Sequence, residues 1–192
     1  MRAHLLQLDL VWENRRANFE LVRRALSDTP PDRGDLVILP ELFDSGFSLN
    51  TPATADQNNE TLHFLQSIAT ELGITIQGSR TRIPSPNAKA TNNATIIAPD
   101  GRLLCEYAKI HPFTFGKEPE AFAGGNEPCL YTWTADDESF QVCPAVCYDL
   151  RFPELFRRGL LAGAEAFAIG ANWPQTRQAH WRALAIARAI EN

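Results

Sequence analysis

A mixed α/β domain of layered sheets and helices is what this sequence predicts, and three features predict it. Over residues 3–82, short apolar runs alternate with amphipathic stretches of helical period in a βαβαβ pattern. The middle of the chain holds two β-type runs joined by Pro99-Asp100-Gly101, a hairpin signal. Beyond residue 128, strand-like and helix-like segments alternate again. With 192 residues and a hydrophobic fraction of 44%, the chain is long enough for one domain with a sizeable core, and no repeat or low-complexity segment interrupts it.

The elements follow in order. "AHLLQLDL" alternates as a strand does, and "ENRRANFELVRRALSD" sets Phe19, Val22 and Leu26 on one helical face with arginines opposite. "DLVILPE" is a continuous apolar run of the kind buried on both faces of a sheet. "NETLHFLQSIATELG" reads as a helix stopped by Gly73, and "ITIQGSRTRI" as the next strand. "ATNNATIIAPDGRLLCEYAKI" is the hairpin. The Gly- and Pro-rich "HPFTFGKEPEAFAGGNEP" after it is too long for a simple turn and is a candidate functional loop. "CLYTW" and "FQVCPAVC" are strands around "TADDES"; "FPELFRRGLLAGA" is a helix, "EAFAIGAN" a strand and "TRQAHWRALAIARAIEN" a last helix.

Charge and composition narrow the function. A formal net charge of −5 supplies no basic footprint, which argues against nucleic acid and anionic membrane and for a small molecule or protein as partner. "MRAHLLQLDLVWEN" is too short and too polar for a signal peptide or a spanning helix, so a cytoplasmic location is expected. In that compartment Cys105, Cys129, Cys143 and Cys147 are expected to stay reduced; they form no C-x-x-C pair, and the four histidines lack ligand spacing, so no metal site is expected.

Three places can carry chemistry. Glu41 follows a buried-type strand and Pro40, where ligand sites of α/β proteins gather, although a loop glutamate or helix cap would look the same. Lys109 ends a strand on the same side as Tyr107 and Cys105, either snorkelling to solvent or held as a fixed cation. Cys147 ends "QVCPAV" just before "DLRFPELF" starts a helix. Its sulfur would meet backbone N–H groups and a helix dipole that favour a thiolate and an oxyanion, whereas the reading as an inert buried thiol suits Cys143 better. A carboxylate base with a nearby ammonium can activate a cysteine, and the shared strand-end placement is what would let the three residues meet.

"LPELFDSGF", "YAKIHPF" and "PAVCYDLRFPELFR", in that order, closely resemble the nitrilase superfamily of carbon–nitrogen hydrolases along nearly the whole chain. The resemblance implies a four-layer αββα sandwich, no cofactor, and amide hydrolysis through a thioester. It implies Cys147 as nucleophile, Glu41 as general base and later acid, and Lys109 with the backbone N–H of Tyr148 facing the oxyanion. It further implies a second glutamate, Glu118 by its spacing to Gly125, with Glu120 the competitor because "GG" replaces the usual proline-glycine.

"SGFS", "CYDLRFPELFR" and "GANWPQTRQAHWRALAIARAIEN" look most like the ω-amidase branch, acting on the terminal amide of 2-oxo dicarboxylic acid monoamides such as 2-oxoglutaramate. The substrate's carboxylate would call for a cation, for which Arg151 and Arg177 are candidates; Arg151 could equally pair with Asp149 or Glu154. Phe43, Asn172 and Trp173 are expected to line the pocket or else pack in core and loops. Another branch, an N-carbamoyl amidase or nitrilase, is the enzymatic alternative, and a binding module on the same fold is the alternative of a different class. The resemblance also implies a homodimer through "FPELFRRGLLAG" and "HWRALAIARAI". In the family the last helix is followed by further strands, so residues 1–192 are expected to be a single domain lacking its C-terminal strands, with "EAFAIGAN" left partly uncovered.

Overall fold

The computed structural model describes residues 1–192. Strand β1 (Ala3–Leu5) is shorter than its alternation suggested. Leu6 still donates to Ile38 O, but Leu6, Leu8 and Leu10 then leave the ladder to pack beneath the first helical layer. Helix α1 (Arg15–Asp28) buries Val22 and Leu26 on the expected face, and the Asn14 side chain caps it by accepting from Ala17 N–H. β2 (Leu36–Ile38) is buried throughout. A single turn, α2 (Thr51–Thr54), precedes α3 (Glu60–Leu72), which stops where Gly73 takes the left-handed conformation that glycine adopts without a steric penalty. β3 (Thr75–Arg82), β4 (Thr91–Ile97) and β5 (Leu103–Ala108) complete a five-stranded sheet of order β1-β2-β3-β4-β5; its first three strands are parallel and the rest antiparallel. The turn at Pro99-Asp100-Gly101 closes the β4–β5 hairpin.

After the one-turn helix α4 (Glu118–Ala121), β6 (Tyr131–Ala135), β7 (Glu138–Val146) and β8 (Ala166–Gly170) form a second sheet. β8 lies parallel to β7 and has no other neighbour. Helices α5 (Pro153–Leu161) and α6 (Gln178–Glu191) complete the chain. Side-chain alternation builds the layers. On β2, Leu36 and Ile38 point toward the second sheet, where they meet Tyr131, Val142 and Val146, while Val37 points to Val22 of α1 and Leu65 of α3. Phe156 of α5 and Trp181 and Leu184 of α6 belong to the cluster on the second sheet's side. The result is the four-layer αββα sandwich that the motifs implied.

Two details of the sheet contact matter for the site. A Cβ built on Gly170 would sit 2.9 Å from Leu39 O, so only glycine lets the end of β8 approach the backbone just before Glu41. Gly170→Ala is expected to push the strand ends apart, costing about 1–3 kcal/mol as overpacking does and lowering the melting temperature by several degrees. An unchanged melting curve would show that the strand ends have room for a methyl group.

The second detail corrects the expectation of four reduced thiols. Cys105 of β5 and Cys129 just before β6 form a disulfide. Only the stacking of the two sheets brings together residues 24 apart in a chain with no cysteine motif. Cys143 and Cys147 are the free thiols.

Candidate active site

Glu41, Lys109, Cys147 and Asn172 all lie just beyond the carboxyl ends of strands, β2, β5, β7 and β8 respectively, and face one another where the two sheets meet. Local backbone conformation places each side chain. Leu42, directly after Glu41, has a positive φ of 47° and donates its N–H to Ser79 Oγ on β3. Lys109 continues the β5 ladder by donating to Asn92 O at 2.9 Å. Lys117, with φ 58°, turns the chain into α4 so that Glu118 points inward. Cys147 itself has φ 47° and opens the 3-10 turn Cys147–Arg151. Left-handed conformations at non-glycine residues are strained, and three of the chain's seven, Leu42, Lys117 and Cys147, adjoin or belong to this cluster.

The side chains interlock. Lys109 Nζ donates to Glu41 Oε1 at 2.7 Å and to Glu118 Oε2 at 2.8 Å, with all three residues essentially inaccessible to water. Asn92 Nδ2 donates to both carboxylates, at 2.9 Å to Glu41 Oε1 and 3.2 Å to Glu118 Oε1. Asn172 N–H donates to Glu41 Oε2 at 3.2 Å, and Phe113 N–H donates to Glu118. Cys147 and Glu41 line the same cleft. Glu120, the competitor for the second glutamate, lies at the surface beside Lys117.

Burial alone would push the Lys109 ammonium down, but the Glu41 and Glu118 carboxylates overcome it and hold the group above its ordinary value. Burial pushes the Glu118 carboxyl up, aided by the charge of Glu41 and opposed by Lys109. Burial and then the charge of Glu41 raise the Cys147 thiol well above its usual range, against a smaller pull from Lys109. The resting site therefore holds a protonated thiol beside an ion-paired carboxylate, and the helix-dipole reading of a preformed thiolate is corrected. The turn after Cys147 is a short 3-10 segment, and α5 begins only at Pro153, too far along to put its first-turn N–H groups on the sulfur.

Asp149 explains why the elbow is held so tightly. Its Oδ2 accepts from Tyr107 O–H at 2.8 Å and Val146 N–H at 3.0 Å, and its Oδ1 accepts from His111 N–H at 3.0 Å with the His111 ring Nδ1 at 2.8 Å. One buried carboxylate thus ties the residue before Cys147 to both sides of Lys109. The Cys105–Cys129 disulfide closes the loop that carries Lys109, Phe113 and Glu118.

A cleft opens over Cys147, walled by Phe47, Phe113, Tyr148, Arg151, Trp173 and Arg177, with Glu41 and Asn172 at its floor. Arg151 stacks over Tyr148 and Trp173, 5.8 and 5.4 Å from the ring centroids, and its only side-chain hydrogen-bond partner is His180 Nδ1 at 3.2 Å. Its Nε is shielded and has no partner. The expected pairing of Arg151 with Asp149 or Glu154 is not made, because Asp149 is already saturated by Tyr107, His111 and Val146. Arg177 lies over Phe113 at 5.6 Å. Phe43 is corrected: it is fully buried among Phe19 and Phe64 in the α1–α3 layer, and Phe47 takes the wall position. The positive φ at Leu42 turns consecutive side chains apart, so Glu41 faces the cleft and Phe43 the helices. Sequence reasoning missed Asn92, Asp149, Phe47 and Phe113; an asparagine pair inside the apolar β run "TNNATII" was the one available signal for the first.

A family model described as carbon-nitrogen hydrolase matches residues 2–192. Among curated proteins, the omega-amidase YafV of Yersinia enterocolitica is 32% identical over an alignment that covers 100% of this chain and 71% of the relative. A 2-oxoglutaramate amidase of Paenarthrobacter nicotinovorans is 34% identical, with 83% of this chain and 57% of the relative covered. Among solved structures, the CN-hydrolase superfamily protein XC1258 of Xanthomonas campestris, which carries an arsenic adduct in its active site, superposes with a TM-score of 0.84 at 32% identity, covering 99% of this chain and 71% of that one. Nit3 of Saccharomyces cerevisiae, a nitrilase-superfamily member, gives 0.82 at 26% identity, with 98% and 70% covered. No helix of the chain is long and apolar enough to cross a membrane.

Proposed function

This chain belongs to the carbon–nitrogen hydrolase family, and from that premise we propose that it hydrolyses the terminal amide of a carboxylate-bearing linear amide, a 2-oxo dicarboxylic acid monoamide such as 2-oxoglutaramate, through a thioester on Cys147. Glu41 takes the thiol proton as sulfur attacks the amide carbon. Lys109 has three N–H bonds, two of them directed to Glu41 and Glu118, and the third serves the oxyanion together with the N–H of Tyr148. Collapse breaks the C–N bond as Glu41 returns its proton to nitrogen, and ammonia leaves. A water then gives its proton to Glu41 and attacks the thioester, and return of that proton to sulfur frees the carboxylic acid and restores the thiol.

The observation that carries the substrate class is the pair of guanidiniums over the cleft. Glu41 and Glu118 against Lys109 leave the buried cluster with a surplus negative charge, whereas Arg151 and Arg177 at the opening have no carboxylate partner. A pocket with unanswered positive charge at one end and an acylating thiol at the other suits a short molecule with an anion distal to its amide. Arg151→Ala and Arg177→Ala, measured separately on 2-oxoglutaramate, are expected to raise KM roughly 10- to 100-fold, the worth of a charge-assisted hydrogen bond. Turnover of a neutral amide of similar size, butyramide, should change little in either variant. Equal KM values for the parent and both variants would remove the anion site from the proposal. A substrate panel with N-carbamoyl compounds and nitriles separates the branches, and preference for a nitrile would defeat the ω-amide assignment.

A further inference from the structure

Asn92 is the buried polar residue in contact with this cluster that the reaction above leaves without a role. It lies on β4 with its side chain on the same face as Ala94 and Ile96, both members of the apolar inter-sheet core. Its Nδ2 spends both hydrogens on carboxylates, Glu41 Oε1 at 2.9 Å and Glu118 Oε1 at 3.2 Å, while its Oδ1 is buried with no partner. The reverse orientation would set the amide oxygen against two carboxylates, so the contacts themselves decide which atom is nitrogen. A valine would fill this strand position without orphaning an acceptor; what asparagine adds is the two donors.

Those donors make the two oxygens of Glu41 unequal. Oε1 accepts from Lys109 at 2.7 Å and from Asn92 at 2.9 Å, whereas Oε2 accepts only the longer bond from Asn172 N–H. Glu41, Cys147 and Asn172 line one cleft, and the bond from Asn172 N–H marks Oε2 as the oxygen on that side. We infer that Asn92 is a positioning residue: it turns Glu41 so that Oε2 receives the thiol proton, and it bridges Glu41 to Glu118. The inference rests on the reading of Glu41 as the base for Cys147. Without the bridge, one donor fewer serves each carboxylate, and a carboxylate with fewer donors is a weaker acid; at Glu118 this adds to the upward push of burial.

The test compares Asn92→Ala with Asn93→Ala, since Asn93 is the neighbouring buried asparagine on the opposite face of β4 and has no bond to either glutamate. Two pH profiles are measured for each: kcat/KM for ammonia release from 2-oxoglutaramate, and the rate of Cys147 alkylation by iodoacetamide, which needs no substrate. Asn92→Ala is expected to lower kcat about tenfold with KM within about twofold, and to move the acid limb of both profiles upward by about one pH unit. Asn93→Ala should keep both limbs where they are in the parent. If Asn92→Ala does not fold, Asn92→Ser, which is polar but too short to reach both carboxylates, is measured in its place with the same expectation. A parental acid limb in the alkylation profile of the folded Asn92 variant, or an equal shift in Asn93→Ala, overturns the positioning role. A shifted alkylation limb in a protein that releases ammonia from no amide upholds the role of Asn92 and overturns the amidase reading instead.

Discussion

Cys147→Ala is expected to abolish ammonia release from 2-oxoglutaramate, with a loss of at least about 10⁴-fold, because removing the group that forms the covalent bond leaves only binding and the oxyanion donors. The fold should survive the change. Alanine keeps the Cβ, accepts the same φ of 47° on the same terms as cysteine, and removes one buried sulfur from a site whose other polar groups remain bonded to each other. The melting temperature is therefore expected to stay within a few degrees of the parent. Cys143→Ala is the matched control. Cys143 is the other free thiol, fully buried beside Gly159 of α5, and burial and Asp149 push it up to about 12, so it takes no part in the proposed reaction. That variant should lose stability to a small cavity and keep its turnover. Parent-level ammonia release from the Cys147 variant would end the thioester mechanism.

Glu41→Gln should do nearly as much damage, roughly 10²- to 10⁴-fold in kcat, the usual contribution of a general base. The geometry makes glutamine a sharp test. Its carbonyl oxygen can replace Oε1 and accept from Lys109 and Asn92 as before, so the buried frame is kept. Its amide nitrogen then stands where Oε2 accepted from Asn172 N–H, placing two donors face to face and nothing able to take a proton beside Cys147. The resting thiol is protonated, raised by burial and by the charge of Glu41, so losing the base halts the attack itself. The same loss falls on the water step, and no burst of ammonia should precede the slow steady state. Glu120→Gln, on an exposed side chain beside Lys117, should leave turnover unaltered. A Glu41→Gln protein within tenfold of the parent, folded by its melting curve, would show that another group takes the proton.

Much of this was legible in the chain because it depends on neighbours in sequence. The 3.6-residue spacing of Val22 and Leu26, the glycine stop at Gly73 and the hairpin at Pro99-Asp100-Gly101 are local physics, and the structure keeps each of them. The apolar run of β2 was readable as doubly covered, and so it is. Glu41, Lys109 and Cys147 were legible as residues at strand ends, and their ordered motifs named the family. Such residues share one edge of a layered fold whatever the detail of the loops.

Other features depend on long-range placement, and sequence distance carries no record of it. β1 breaks off early because its outer leucines are drawn under the first helical layer instead of along the ladder. Cys105 and Cys129 pair because the sheets stack. Phe43 turns into the core because Leu42 takes a left-handed conformation, and Arg151 is left without a carboxylate because Asp149 is already bonded to Tyr107, His111 and Val146. Periodicity, capping and turn chemistry act within a few residues, so the element pattern, the layered class and the residue types at the strand ends can be read from the chain alone. The raised thiol, the two cleft arginines without carboxylates and the bridge from Asn92 to both carboxylates follow instead from packing. Burial, competition for hydrogen-bond partners and the sum of nearby charges come into being when distant segments are packed together.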